Sequence, residues 1–378
     1  MAPLRVALIG LSGRAKTGWA SSAHLPYFLS PRGRESYSIV ALCNSSVEAA
    51  KQAIKAYNLP STTKAYGDPQ SVADDQDVDL VVCCTRVDVH HPTILPSVKA
   101  GKSVYVEWPL AQDVVHATEL VEAAESSGSK TIMGMQGRVA PPVVKIKEII
   151  EQGRLGKILS SEVRAAGGSM DRLVLSSDLS YFTDRSIGGN VYTIGFGHLF
   201  DQVQYVLGTI EKPQTRLQLQ RPEVKLRDPK TQNIVDTVIS NVPDLVIVAA
   251  TMPKSESVQE NASILLRFRR GQPVAGEPAL VWTISGTKGD LVLVARGGTA
   301  LHANAYSEPV TIEIYNFETD KVEHVEWTWE DWQAELPMVA RSIGKVYEDF
   351  ANGAQVPTFK DALERHEQLE GYLEDWRP

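Results

Sequence analysis

The stretch RVALIGLSGRAKTGWA, residues 5–20, decides how the chain is read. Its first half is an apolar run with no polar alternation, the pattern of a strand covered on both faces. Gly10, Gly13 and Gly18 follow at once, a loose version of the G-x-G-x-x-G turn. Gly10 can make the tight turn out of the strand. Small Ser12 and Gly13 then let backbone amides approach a diphosphate, which also gains from the N-terminus of the next helix. A glycine-rich turn after a strand is equally compatible with plain turn chemistry, so the surrounding chain has to decide.

It does so by repetition. YSIVALC (37–43), DLVVCCT (79–85), SVYVEW (103–108) and KTIMGM (130–135) are further apolar runs rich in Val, Ile and Leu, with helical patterns between them. SSVEAAKQAIKAYN carries a capping box, with Ser45 as N-cap and Glu48 three residues on. DVVHATELVEAAESSG runs from an Asp113 cap to a Gly128 stop. Five such strands alternating with helices predict an α/β fold, a doubly wound parallel sheet of the Rossmann type over residues 1–137 that binds a dinucleotide. The second strand ends in Asn44, Ser45 and Ser46, where NAD-specific sites place an acid on the adenosine ribose. A neutral end tolerates a 2′-phosphate, and Arg14 or Lys16 could reach one. NADP is therefore expected, with NAD possible.

Several motifs in order along the chain then resemble those of one family, the glucose-fructose oxidoreductase, inositol dehydrogenase and rhizopine-catabolism (Gfo/Idh/MocA) family. TRVDVHH is similar to its T-P-x-x-x-H, with Thr85 and His90 matching; VEWPL to its E-K-P; QGRVAPP to its N-x-R-x-x-P; GGNVYTIGFGHLFD to its active-site helix; and ISGTKGDLVL to a glycine turn in its second domain. The resemblance implies an oxidoreductase that moves a hydride between a hydroxyl-bearing carbon and the nicotinamide. It places Thr85, His90, Glu107, Trp108 and Arg138 with Gly10, Ser12, Gly13, Arg14, Asn44 and Ser45 as cofactor-side residues. The motifs also resemble the regulatory branch of that family, the galactose-regulon repressors of yeasts, which has tryptophan after the glutamate.

The departures bear on mechanism. Trp108 stands where the family has its lysine, and Ile194 or Thr193 where it has an aspartate; only His198 matches. An indole N–H donates a hydrogen bond but is neither acid nor base near neutral pH. Trp108 is read as an apolar wall beside the nicotinamide, or as filler for the space of a lysine chain. His198 and Tyr192 become the candidate catalytic residues, the first as proton handler and the second as a donor to a carbonyl. Arg138 could clamp an oxygen-rich or anionic ligand, or form a salt bridge at a domain boundary. Glu107 could bind the nicotinamide ribose or cap the next turn. The alternatives to an oxidoreductase are a non-catalytic dinucleotide-binding regulator and an enzyme that kept the pocket for non-redox chemistry.

After QGRVAPP the pattern becomes β-rich, with period-two alternation in ASILLRFRR, ALVWTISG and VTIEIYNF. This predicts an α+β domain over 138–378 with an open, largely antiparallel sheet, closed by a helix at 358–376. The free sheet face and the resemblance together imply a homodimer or higher oligomer. The polar stretch 169–190 is read as a lid or substrate loop. With 378 residues, 43% hydrophobic and 22% charged, the chain has material for two cores. A formal charge of −8 without basic runs argues against direct nucleic-acid binding. Apolar runs too short for a membrane helix, and three cysteines that form no disulfide framework, imply a soluble protein of the reducing cytoplasm. The His and Cys spacings predict no metal site. The expected partner is a small-molecule substrate.

Overall fold

The computed structural model describes residues 2–13 and 18–378. The chain divides into two compact units: residues 1–136 with 186–189 and 330–371, and residues 137–185 with 190–329 and 372–378.

In the first unit six strands form one parallel sheet: β1 (Leu4–Ile9), β2 (Tyr37–Cys43), β3 (Lys64–Tyr66), β4 (Leu80–Cys83), β5 (Ser103–Glu107) and β6 (Thr131–Gly134). Their order is β3-β2-β1-β4-β5-β6, so the direction of winding reverses between β1 and β4. The crevice beside their carboxyl ends is where a doubly wound sheet takes its ligand. Val6, Leu8, Val81 and Val82 are fully buried, as their unalternating pattern requires. β3 is an addition to the five strands read from sequence, at three half-buried residues too short to show a pattern.

The helices between strands begin and end where their side chains allow. Helix α1 (Val47–Ala56) is capped by Ser46, whose Oγ accepts from the Ala49 amide at 3.1 Å. This corrects the expected Ser45 cap and leaves Ser45 exposed. Helix α2 (His90–Lys99) follows β4. Helix α3 (Val114–Ser127) starts on Asp113, which accepts from the His116 amide, and stops at Gly128 with φ +72°, as expected.

Residues 330–371 also belong to this first unit, which corrects their assignment to the second domain. Before it, in the second unit, come α4 (Pro141–Glu151) and α5 (Gly197–Leu207); α6 (Met338–Ala351) and α7 (Phe359–Gly371) follow, the last ending before the expected residue 376. The Met133 amide donates to the Pro357 carbonyl at 2.7 Å and the Phe359 amide to Thr131 Oγ1 at 3.2 Å, so this segment satisfies the outer edge of β6. Tyr347 of α6 joins Tyr27, Phe28, Tyr37 and Tyr105 in a buried aromatic cluster.

The second unit holds two sheets. Eight strands run in the order β17-β16-β15-β14-β7-β13-β12-β9: β7 (Ile158–Gly167), β9 (Glu211–Gln218), β12 (Leu245–Thr251), β13 (Val258–Arg270), β14 (Leu280–Gly286), β15 (Gly289–Ala295), β16 (Val310–Asn316) and β17 (Lys321–His324). All pairs are antiparallel except β7 with β13. Alternation is strict in β14, where Leu280, Trp282 and Ile284 are buried while Val281, Thr283 and Ser285 are partly exposed. The smaller sheet, β11-β10-β8, comprises β8 (Val174–Ser176), β10 (Glu223–Arg227) and β11 (Ile234–Ile239). Part of the stretch 169–190, read as a lid or substrate loop, lies in this sheet. β8 pairs with β10, and Phe182 packs on Leu175, Val224 and Leu226, so this segment carries part of a small core of its own. Among the described residues no helix is long and apolar enough to cross a membrane.

Candidate functional site

The turn after β1 is built around Gly10. Its φ is +96°, and a Cβ there would sit 2.9 Å from the Cys84 carbonyl oxygen and 3.2 Å from the Thr85 methyl. Glycine is therefore required twice over, for the left-handed backbone and for the close approach of β1 to the end of β4. Its amide donates to the Cys43 carbonyl at 3.1 Å, tying three strand ends together at the reversal of winding. Gly13 is exposed, and among the described residues a Cβ on it would meet nothing within 4 Å. Ser12 is half-buried beside it; Arg14 and Lys16 lie outside the described residues. Asn44 Nδ2 donates to the Leu11 carbonyl at 2.9 Å, so the neutral end of β2 braces the glycine turn, with exposed Ser45 next to it. A small-residue turn fits a diphosphate, and an uncharged β2 end fits an adenosine ribose with or without a phosphate.

Thr85 and His90 organise the next two strand ends. His90 is buried, with Nε2 3.0 Å from the Thr85 carbonyl and Nδ1 2.9 Å from the Pro109 carbonyl. Burial pushes its pKa down while both carbonyls pull it back up. The ring staples the β4 loop to the cis Trp108–Pro109 turn after β5, so its role at this edge is to hold the backbone of the site.

Glu107 ends β5 and is 8% exposed. Its Oε1 accepts from the Tyr105 hydroxyl at 2.9 Å and lies 2.8 Å from His24 Nε2. Trp108 is 4% exposed, its ring 4.9 Å from that of His366 on α7. In this unit the indole is packed against the closing helix, an arrangement that fits filler for the space of a lysine chain. His366 is itself buried, its Nε2 has no hydrogen-bond partner, and burial pushes its pKa down to about 4.

In the second unit Arg138 makes a two-pronged ion pair with Asp201 of α5, Nε to Oδ2 at 2.9 Å and Nη2 to Oδ1 at 2.7 Å. The carboxylate neutralises the guanidinium that was expected to clamp an anion, and the salt-bridge alternative holds. Asp201 ends the GGNVYTIGFGHLFD motif, and no local signal marks it as the partner of Arg138. Tyr192 is 1% exposed and stacks on Phe196, 5.8 Å away, which in turn stacks on Phe200. Burial raises its hydroxyl pKa well above the usual phenol range. The expected carbonyl donor is thus a member of an aromatic core stack.

His198 is half-buried one residue into α5, with its ring 4.5 Å from that of His302. Burial pushes its pKa down to about 4, so the imidazole is neutral at physiological pH. His302 Nδ1 lies 3.2 Å from Gln202 Nε2. Gln202 lies one turn beyond His198 on α5 and packs its amide over Gly137, where a Cβ would approach its Nε2 to 2.2 Å. His302 lies far along the chain in an irregular loop, and no local pattern announced it.

Comparison with known proteins fits this geometry. Residues 4–135 match the model of an oxidoreductase family with an NAD-binding Rossmann fold, and residues 141–295 that of the Gal80p C-terminal domain. The chain is 27% identical over 370 residues to dehydrogenase aclE of Aspergillus oryzae, covering 98% of this chain and 95% of that protein. It is 30% identical over 313 residues to the galactose/lactose metabolism regulatory protein GAL80 of Saccharomyces cerevisiae, covering 80% of this chain and 69% of that protein. Among solved structures, a super-repressor mutant of Gal80p from Saccharomyces cerevisiae superposes with a TM-score of 0.83 at 25% identity, over 98% of this chain and 95% of that one. A levoglucosan dehydrogenase in complex with NADH and levoglucosan shares the fold, with a TM-score of 0.71 at 19% identity over 98% and 96% of the two chains.

Proposed function

The chain belongs to the Gfo/Idh/MocA family of NAD-binding oxidoreductases, and from that premise we propose that it is an NAD(P)-dependent oxidoreductase acting on a hydroxyl or carbonyl group of a small polar or secondary-metabolite substrate. The observation that carries the reading is the Gly10 turn, with its positive φ and its contact with the β4 end. A bound dinucleotide supplies the hydride chemistry. The chain's own residues supply the rest. Backbone amides of the turn and Ser12 face the diphosphate, Asn44 and Ser45 receive the adenosine ribose, and Glu107 takes the nicotinamide ribose. The uncharged β2 end favours NADP over NAD.

His198 is the proton handler in this reading. As a neutral imidazole it accepts the hydroxyl proton during oxidation and donates a hydrogen bond from its other nitrogen. With a pKa of about 4, oxidation stays flat from pH 8 down to about 5 and declines toward 4, where the ring takes up its proton. His198→Ala is expected to lower kcat by about 100-fold or more, the usual worth of a positioned acid or base. Intact turnover in that variant would remove His198 from the chemistry. The open face of the eight-stranded sheet is the surface through which we expect two copies to associate, a point that sedimentation decides.

A second reading is favoured by the burial of Trp108 and Tyr192 and by the neutralisation of Arg138. These leave His198 as the one remaining candidate for proton transfer, and they suit a non-catalytic dinucleotide-binding regulator, or a pocket kept for non-redox chemistry. Fluorescence titration with NADPH and NADH, followed by absorbance loss over a panel of carbonyl compounds, separates the readings. Binding with turnover supports the oxidoreductase; tight binding without turnover supports the regulator; absence of binding sinks both. In the same titration Gly10→Ala is expected to weaken the dinucleotide about tenfold or more, because strain of about 1–3 kcal/mol at a positive φ is relieved only by moving the turn. Unchanged binding in this variant would take the diphosphate away from the Gly10 turn.

A further inference from the structure

A buried polar chain runs behind Glu107. His24 is fully buried in the helical turn Ala20–His24, in the segment that leaves the glycine-rich turn. Its Nδ1 lies 2.7 Å from the Tyr347 hydroxyl of α6, and its Nε2 lies 2.8 Å from Glu107 Oε1. Tyr105 adds its hydroxyl to the same carboxylate oxygen at 2.9 Å. Burial holds both phenols well above their ordinary pKa, so they remain hydroxyl donors. If Tyr347 donates to Nδ1, the imidazole proton sits on Nε2 and points at Glu107. Both donors therefore converge on Oε1. On the other side of the carboxylate stands Gly134, where a Cβ would be 3.0 Å from Oε2 and 2.9 Å from the Glu107 Cα. Glycine there keeps a Cβ off Oε2. An apolar residue would fill this end of β5 without the cost of burying a carboxylate, so the network is more than packing requires.

We propose that His24 is a positioning residue for dinucleotide binding: held by Tyr347, it pins Oε1 of Glu107 so that Oε2 is presented as acceptor to the hydroxyls of the nicotinamide ribose. The inference rests on the dinucleotide reading above. It ties the helical segment after the diphosphate turn to the carboxylate at the other half of the ligand, so the two halves are read by connected residues.

Calorimetry with two ligands tests it: whichever of NADPH and NADH the wild type binds better, and the matching half ligand without nicotinamide, 2′,5′-ADP or 5′-ADP. His24→Ala is expected to raise the Kd of the whole dinucleotide about tenfold or more while the half ligand stays within about twofold, since a lost hydrogen bond to a charged group is worth about that factor. His24→Gln, which restores an N–H toward Glu107, should recover most of the loss. Tyr347→Phe keeps the ring in the aromatic cluster and removes only the hydroxyl, so it reports on the network even if His24→Ala does not fold; it should weaken the whole dinucleotide selectively by a smaller factor. Equal weakening of both ligands, or a lower melting temperature with both Kd values unchanged, overturns the assignment of His24. A wild type that binds neither ligand instead overturns the dinucleotide reading on which it rests.

Discussion

Asp201→Ala is expected to cost the second unit about 3–5 kcal/mol of stability, the usual penalty for leaving a buried charge without its partner. The Arg138 and Asp201 side chains are only 12% and 3% exposed, and both oxygens of the carboxylate are used. Water therefore cannot replace the lost carboxylate without opening the packing around Arg138, whose guanidinium also lies 5.5 Å from the Tyr205 ring. Against a typical total of about 5–15 kcal/mol, this is a large fraction. Urea unfolding followed by tryptophan fluorescence reads it directly, because Trp282 is fully buried in this unit. The double variant Arg138→Met with Asp201→Leu should lose less than Asp201→Ala alone, since it removes both charges and keeps the volume. A loss below about 1 kcal/mol in the single variant would mean a solvent-screened pair, and would return Arg138 to the list of ligand clamps.

The second large effect is acid lability between pH 6.5 and 4. Burial lowers the pKa of both His198 and His366 from 6.5 to about 4. In that window the unfolded chain binds protons on these rings that the folded chain does not, so stability rises with pH. The contribution is complete above pH 6.5 and is lost as pH falls toward 4, amounting to roughly 3 kcal/mol per histidine across the whole window. The carboxylates held low by hydrogen bonds, such as Asp68, act only at lower pH, because their unfolded value is already about 3.8. His366→Leu is therefore expected to flatten the pH dependence of the melting temperature between 6.5 and 4. It should melt no lower than wild type at pH 7, because it also removes the unpartnered Nε2, and clearly higher at pH 5. A variant that retains the full wild-type slope would show that His366 titrates normally in the folded protein.

The strand ends proposed to hold the cofactor were legible because their signals are local. A strand that lacks alternation, a glycine at the next residue and an uncharged β2 end are read within a few positions, and the structure places Gly10, Gly13, Asn44, Ser45, Thr85 and Glu107 on the carboxyl-end segments of β1, β2, β4 and β5. Local reading failed where neighbours compete for one role. Ser45 and Ser46 both suit an N-cap, and only the bond to the Ala49 amide chooses Ser46. It failed more deeply where the partner lies far along the chain. Nothing near Trp108 indicates that it packs on His366, nothing near Arg138 points to Asp201, and His24 gives no hint of Glu107 and Tyr347.

By itself the amino-acid sequence determined the five long strands of the parallel sheet, the largely antiparallel habit of the second, the glycine turn and the loss of the family's lysine and aspartate, because hydrophobic periodicity and glycine's conformational range act over a few residues. The tertiary structure alone decided that the chain's last helices belong to the first unit, that Trp108 and Tyr192 are core, that Arg138 is neutralised and that Glu107 is held by His24. Each of these is a question of which buried polar or aromatic group finds which partner, and burial and pairing are properties of the packed chain.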